Sequence, residues 1–223
     1  MATLAEDLVL LLIDPHAGRI VVDTTALDRA VAGALLLDLA LRERLAAEGT
    51  GRRVQLYVSN AMPSGEPVLD AAMDVLGDSR LRAVRAVERL TNRTRDAVFD
   101  RLEARGVVRR VRARILGVFP SIRWQVLDAA AHRHLRAGVA AVLLDRQPPD
   151  VRLACLISLL HAVRAADRVV EGPARMIRRR AGEVADGERI GSAVRSAVDG
   201  VRNVVVMAAF SAATGTASGQ LST

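Results

Sequence analysis

The segment "ALDRAVAGALLLDLALRERLAAEG", residues 26–49, carries apolar side chains around most of a helix's circumference. Leu27, Val31, Leu35, Leu39 and Leu45 fall near helical spacing, while Leu36, Leu37 and Leu41 widen the stripe well beyond one face. A helix with so little polar surface needs neighbours on nearly every side, so it belongs at the centre of its domain. Thr24 or Thr25 supplies a cap at its start and Gly49 a stop at its end.

The rest of the chain has the material to surround such a helix. Half of the 223 residues are hydrophobic but only 2% are aromatic, so the core is built from Leu, Val and Ala. Leu and Ala favour helix, which predicts a mainly α fold. Thr3 and Glu6 form a capping box ahead of "DLVLLLID". "RIVV" reads as a short extended piece and "RRVQLYVS" as a strand. Further helices are expected in "VLDAAMDVLG", "RLRAVRAVERL" and "TRDAVFDRLEARG", the last stopped by Gly106. Residues 107–126 alternate like a β-hairpin. Helical blocks follow at about 128–145, 149–170 and 188–213, joined by "RQPPD" and by "EGPARMIRRRAGEVADG" as a connector. No composition shift divides the chain, so residues 1–213 read as one helical domain, followed by a disordered Gly/Ser/Thr-rich tail, 214–223.

A net charge of +7 points to an anionic partner. All 32 basic residues are arginine, however, so only their placement is informative. Cys155, the sole cysteine, lies in the apolar run "RLACLISLLHAV" and reads as a buried, inert thiol. The N-terminus lacks the charged region of a signal peptide, and no apolar run reaches the length of a spanning helix. These features predict a cytoplasmic protein, soluble or peripheral to a membrane.

Enzymatic constellations are thin. His132 and His134, two apart on a helix, point in different directions and cannot share an ion there. His161 lies in an apolar helix and reads as a packed histidine. No phosphate-binding glycine loop, nucleophile elbow or zinc-protease motif occurs. Asp and Glu read as solvated partners on charged helix faces. The expectation is a binding protein with no catalytic residues, no cofactor and no metal.

The most charged stretch, residues 92–124, sets nine arginines against Asp96, Asp100 and Glu103. Within it, Arg110, Arg112 and Arg114 share one face of the first hairpin strand, and the tip "ILGVFP" is apolar. Four readings are open: a DNA-binding winged helix, a membrane-contacting hairpin, a protein-interaction adaptor whose tip docks another chain, or a tip folded onto the body with a solvated arginine face. Trp124, at the hairpin's end, reads as core. The apolar tip argues against DNA, because a wing that grips phosphates gains nothing from ending in five apolar residues.

"LAEDLVLLLID" with "AGRI", then "GALLLDLALRERL", "LEARGVVRR", "ACLISLLHA" and "VVVMAAF" occur in the order found in the Golgi phosphoprotein 3 family. The chain resembles that family over residues 4–213, and its composition is similar to the bacterial, actinobacterial-type branch. The resemblance implies a central helical bundle with a projecting β-hairpin and no enzymatic activity. Eukaryotic members are peripheral membrane proteins that recognise phosphatidylinositol 4-phosphate and sort glycosyltransferases. The family's lipid pocket has one tryptophan and three arginines. Its positions fall here on Asp23, Ala32, Asn92 and Arg95, so only Arg95 matches, with Arg93 and Arg29 nearby as substitutes. The membrane-inserting hairpin tip falls on Ile115–Val118. The implied partner is anionic phospholipid at the inner face of the membrane, with a phosphoinositide and a protein cargo left open, as is self-association through the hairpin. Arg110, Arg112 and Arg114 would attract the headgroups. Ile115, Leu116, Val118 and Phe119 would enter the apolar layer.

Overall fold

The computed structural model describes residues 2–49, 54–91, 93–115, 119–186 and residue 205, with only the backbone for 113–115 and 119–121. Helix α1, Leu4–Leu12, is buried along its whole length, including Glu6 and Asp7. The expected capping box forms: Thr3 Oγ1 accepts from the Glu6 backbone N–H, and the Glu6 carboxylate accepts from the Thr3 N–H at 2.7 Å. Helix α2, Thr24–Leu41, crosses α1 and buries thirteen of its eighteen residues. Its N-cap is Asp23, one residue before the expected Thr24 or Thr25, because the Asp23 carboxylate reaches the Ala26 N–H at 2.8 Å.

Helix α2 stops at Leu41 and does not reach Gly49. Glu43 turns the chain with φ +57, and "LAAE" becomes strand β1, Leu45–Glu48. Its partner is β2, Gln55–Val58, with Leu45 opposite Val58 and Ala47 opposite Leu56. Leu45 and Leu56 both enter the core, which overrides the helical preference of the alanines. Helix α3, Pro67–Leu76, follows, and the short strand β3, Leu81–Arg82, completes a three-stranded sheet. Helix α4, Ala83–Leu90, and α5, Arg95–Ala104, lead to the hairpin strands β4, Val108–Ile115, and β5, Phe119–Val126. The remaining helices are α6, Ala129–Leu143; α7, Val151–Ala162; α8, Ala166–Val169; and α9, Ala174–Ala185.

Two further expectations change. The block expected at 149–170 breaks at Arg164, whose φ of +54 ends α7 and starts α8 in a new direction. The supposed connector is helix α9, which buries Ile177, Ala181 and Val184 at helical spacing. Its many arginines had hidden that narrow stripe. Of the block 188–213 only Val205 is described, and the tail 214–223 lies outside the described residues. Gly33 of α2 leaves room where α7 approaches: a Cβ there would press on Leu159 Cδ2 at 3.0 Å and Val205 Cγ1 at 3.2 Å. The fold is mainly α, as expected, in one domain.

The core is aliphatic, but its carboxylates are not on solvated faces. Glu6, 1% exposed, accepts from Arg101 Nε at 3.1 Å and Arg105 Nη1 at 2.9 Å, tying α1 to α5. Burial pushes its carboxyl up, but the Thr3 N–H and Arg105 outweigh this and hold it below the ordinary value. Asp7 receives Arg152 Nη2 at 2.6 Å, tying α1 to α7, and burial raises its carboxyl despite that partner. Cys155 is buried in α7 as expected. His132 points inward and His134 outward. One His132 nitrogen bonds to the Ile13 carbonyl, while Nε2 is buried with no hydrogen-bond partner.

Two outcomes follow from these buried groups. Glu6→Gln takes the carboxylate from Arg105 and one of two from Arg101, which keeps Glu66, and should cost about 3 kcal/mol. For a domain of this size that lowers the melting temperature by roughly 6–12 °C. Because the folded carboxyl lies below 4.5, its contribution is complete above that value and is lost on further acidification, so the variant's stability should depend less on pH there. For His132, burial and then Arg136 lower the folded pKa below 6.5, so the unfolded chain binds the extra proton first. Stability should therefore fall as pH drops from 6.5 towards the folded value, and His132→Leu should flatten this slope in thermal melts between pH 5 and 7.5.

Candidate functional site

Strands β4 and β5 pair over eight positions, from Val108 opposite Val126 to Ile115 opposite Phe119. The base of this hairpin is anchored. Val108 is 1% exposed, and Trp124 stacks on Phe99 of α5 with ring centroids 4.1 Å apart. Trp124 is thus core, as its isolation in the sequence implied. The loop after α1 holds the outer edge of β5, with the Trp124 N–H donating to the Gly18 carbonyl at 2.8 Å and Arg123 Nη1 to the Ala17 carbonyl at 2.9 Å. Gly18, with φ +64, allows this approach, since a Cβ there would lie 3.0 Å from the Trp124 oxygen.

Further along the strands the hairpin leaves the core. Val111, Arg112 and Ile122 are exposed, with Arg112 directly opposite Ile122. Of the large apolar side chains exposed among the described residues, Val111, Ile122 and Leu127 lie in or just after the hairpin. The backbones of Arg114, Ile115 and Phe119 continue the strands; Leu116 and Val118 lie outside the described residues.

Arg110 is also exposed, but its guanidinium is paired. Its guanidinium covers Trp124 at 5.0 Å from the ring and meets Asp100 at 3.3 Å and Glu103 at 3.6 Å, while its backbone N–H donates to Glu103. A lipid headgroup meeting Arg110 alongside Arg112 and Arg114, as expected from the sequence, would have to compete with these two carboxylates. The face shared by the three arginines is the one that turns into the core at the hairpin base.

A cleft of about 560 Å³ lies between the start of α2, the first turns of α5 and the hairpin base. Ile20, Leu27, Phe99 and Trp124 give it an apolar lining, and Arg95 and Arg110 are its cations. Arg95, the residue expected to contact phosphate, donates through Nη1 to Asp28 at 3.0 Å and through Nε to Asp96 at 3.2 Å. Burial raises the Asp28 carboxyl, and Arg95 only partly offsets it. Both cleft arginines therefore face two carboxylates each, and an incoming anion would have to compete with them.

The other expected pocket positions do not converge here. Ala32 is fully buried in α2, so that position faces the core and cannot touch a ligand. Asp23 is occupied as the α2 N-cap. Arg93 is exposed between α4 and α5, Arg29 is partly buried on α2, and Asn92 lies outside the described residues. Sequence reasoning missed Asp28, whose signal was available: a carboxylate on a helix apolar all round needs a partner.

The Golgi phosphoprotein 3 (GPP34) family profile matches residues 4–201. A comparison with curated proteins finds no match. The family match spans the capped α1, the buried α2, the α5–hairpin unit and the helices behind them, so the chain belongs to the Golgi phosphoprotein 3 family.

Proposed function

We propose that this chain is a non-enzymatic, peripheral membrane protein that binds anionic phospholipid through its hairpin, at the inner face of the membrane. The observation that carries the reading is the anchored hairpin whose stem exposes Arg109, Arg112, Val111 and Ile122 beyond a buried base. Mixed arginine and aliphatic exposure suits the boundary between headgroups and acyl chains. Basic side chains there gain about 1 kcal/mol each near an anionic surface. Family membership supports the same direction, and among the described residues no helix is long and apolar enough to cross a membrane.

Liposome flotation separates the contributions. Arg112→Gln with Arg114→Gln should lower binding most at low salt on anionic vesicles, because the attraction is screened over about a Debye length of 8–10 Å. Leu116→Ser with Phe119→Ser should lower the salt-resistant fraction, each side chain losing on the order of 2 kcal/mol of transfer energy. Arg110→Gln should leave vesicle binding nearly unchanged and lower the melting temperature instead. If the serine pair lowers the melting temperature or dissociates an oligomer, with vesicle binding intact, the tip packs against protein and the membrane reading fails. Sequence-specific DNA binding would overturn it too, since only salt-sensitive, sequence-blind binding is expected.

The cleft at Arg95 leads to a separate expectation. With each of its arginines held by two carboxylates, and with Asp23, Ala32 and Asn92 at the other family positions, selectivity for phosphatidylinositol 4-phosphate should be weak. Vesicles of matched surface charge, with and without that lipid, measure it. A clear preference would show that the Arg95 pairs open to admit the headgroup.

A further inference from the structure

The hairpin is a two-stranded sheet, so among the described residues each of its strands has one edge with no strand beside it. In an antiparallel ladder, pairs that bond to each other alternate with pairs whose N–H and C=O point away. Two bonds fix the outward set here. Trp124 N–H leaves β5 for the Gly18 carbonyl at 2.8 Å, and Arg110 N–H, opposite it, leaves β4 for Glu103 Oε1 at 2.6 Å. Counting on by two, the next outward pairs are Arg112 with Ile122 and Arg114 with Pro120. The proline fits, because a position whose N–H points away loses no ladder bond. The two edges are therefore unequal. Along β5, Gly18 covers Trp124 and Pro120 has no N–H, which leaves Ile122 alone between them. Along β4, Glu103 occupies Arg110, but Arg112 and Arg114 follow as consecutive outward positions, each with a backbone donor and acceptor. Arg112 is exposed and, among the described residues, has no bond or ion pair outside the ladder. We propose that the β4 edge at Arg112 and Arg114 takes up an extended segment of another protein that carries carboxylates at alternate positions.

Charge selects the occupant. A strand added at this edge sets two residues, one apart from the next but one, opposite Arg112 and Arg114 and on the arginines' own face. Carboxylates at those two positions complement both arginines. The residue between them lies on the other face, where β4 exposes Val111, and an aliphatic side chain suits it. A second copy of the chain does not fit. Two β4 edges paired antiparallel about Ala113 would set arginine opposite arginine, and like charges directly opposite are destabilising. Edge charges of one sign turn most strands away in this manner, and admit the complementary one. Main-chain bonds at Arg112 and Arg114 would supply the affinity and the alternating side chains the specificity.

The test uses the full chain in lipid-free buffer, so its outcome is separate from that of the membrane reading. The probe is a fluorescein-labelled, acetylated peptide, SEVEVS, whose binding is read by anisotropy. Saturable binding is expected. The isomer SEEVVS has the same charge without the alternation, and should bind roughly tenfold more weakly. Methylating both glutamate N–H groups blocks the bonds to β4 and should abolish binding. Methylating both valine N–H groups, which face away from β4, should leave it. Arg112→Gln removes one cross-strand charge pair and should weaken binding about two- to fivefold. Arg109→Gln removes the same charge from the other face and should have a smaller effect. Arg112→Pro keeps the ladder, as Pro120 does at its own outward position, and should abolish binding by removing the donor. If it lowers the melting temperature, the methylated peptides decide the matter on the unaltered protein. The proposal is overturned if SEVEVS does not saturate, if SEEVVS binds equally, if glutamate methylation is harmless, or if Arg112→Gln has no effect. It is also overturned if the chain alone self-associates and Arg112→Pro dissociates it, since the edge would then serve a second copy.

Discussion

Among the described residues, four carboxylates lie inside an aliphatic core, and each ties its own helix to another element. Glu6 joins α1 to α5 through Arg101 and Arg105, Asp7 joins α1 to α7 through Arg152, and Asp28 joins α2 to α5 through Arg95. Asp38 of α2 accepts the Leu4 backbone N–H at 2.7 Å, closing the start of α1 onto the central helix. An aliphatic set of the same shape could match the stability of such pairs. They differ from it in what a mistake costs, because a slipped helix would strand a buried charge at a penalty of several kcal/mol. In a core of nearly interchangeable Leu, Val and Ala, that penalty disfavours alternative helix registers.

That constraint also determines how much of the basic charge faces outward. In the stretch that looked most like a binding surface, Arg95, Arg101, Arg105 and Arg110 pair with carboxylates, and Arg123 bonds to the Ala17 carbonyl. Arg93, Arg109 and Arg112 are exposed. The positive charge of α5 is therefore largely structural, while Arg109 and Arg112 of the hairpin stem point outward. A count of arginines along the chain cannot separate these roles, since the paired and exposed residues alternate within a few positions.

The hairpin joins the two halves of this picture. Its base belongs to the core through Val108 and the Phe99–Trp124 stack, so the stem is held rigidly against α5. Its exposed positions are then free to vary without disturbing the fold. The same arrangement places Arg110 over the Trp124 ring, where it is neutralised by Asp100 and Glu103.

The sequence by itself determined the features that depend on near neighbours. The Thr3–Glu6 capping box, the all-round apolar α2, the stop at Gly106, the alternation of residues 107–126 and the core position of Trp124 were legible because caps, turns and periodicity act over a few residues. Tertiary structure decided the rest. It turned "LAAE" from helix to strand by giving it β2 as a partner, and it made α9 a packed helix from a segment that reads as a charged connector. Above all, it chose the partners of the buried carboxylates. Asp28 and Arg95 are 67 residues apart in the chain, Glu6 and Arg105 are 99 apart, and Asp7 and Arg152 are 145 apart. No local pattern encodes which of thirty-two identical guanidinium groups will reach a given carboxylate; only the packing of the helices brings the two within hydrogen-bonding distance.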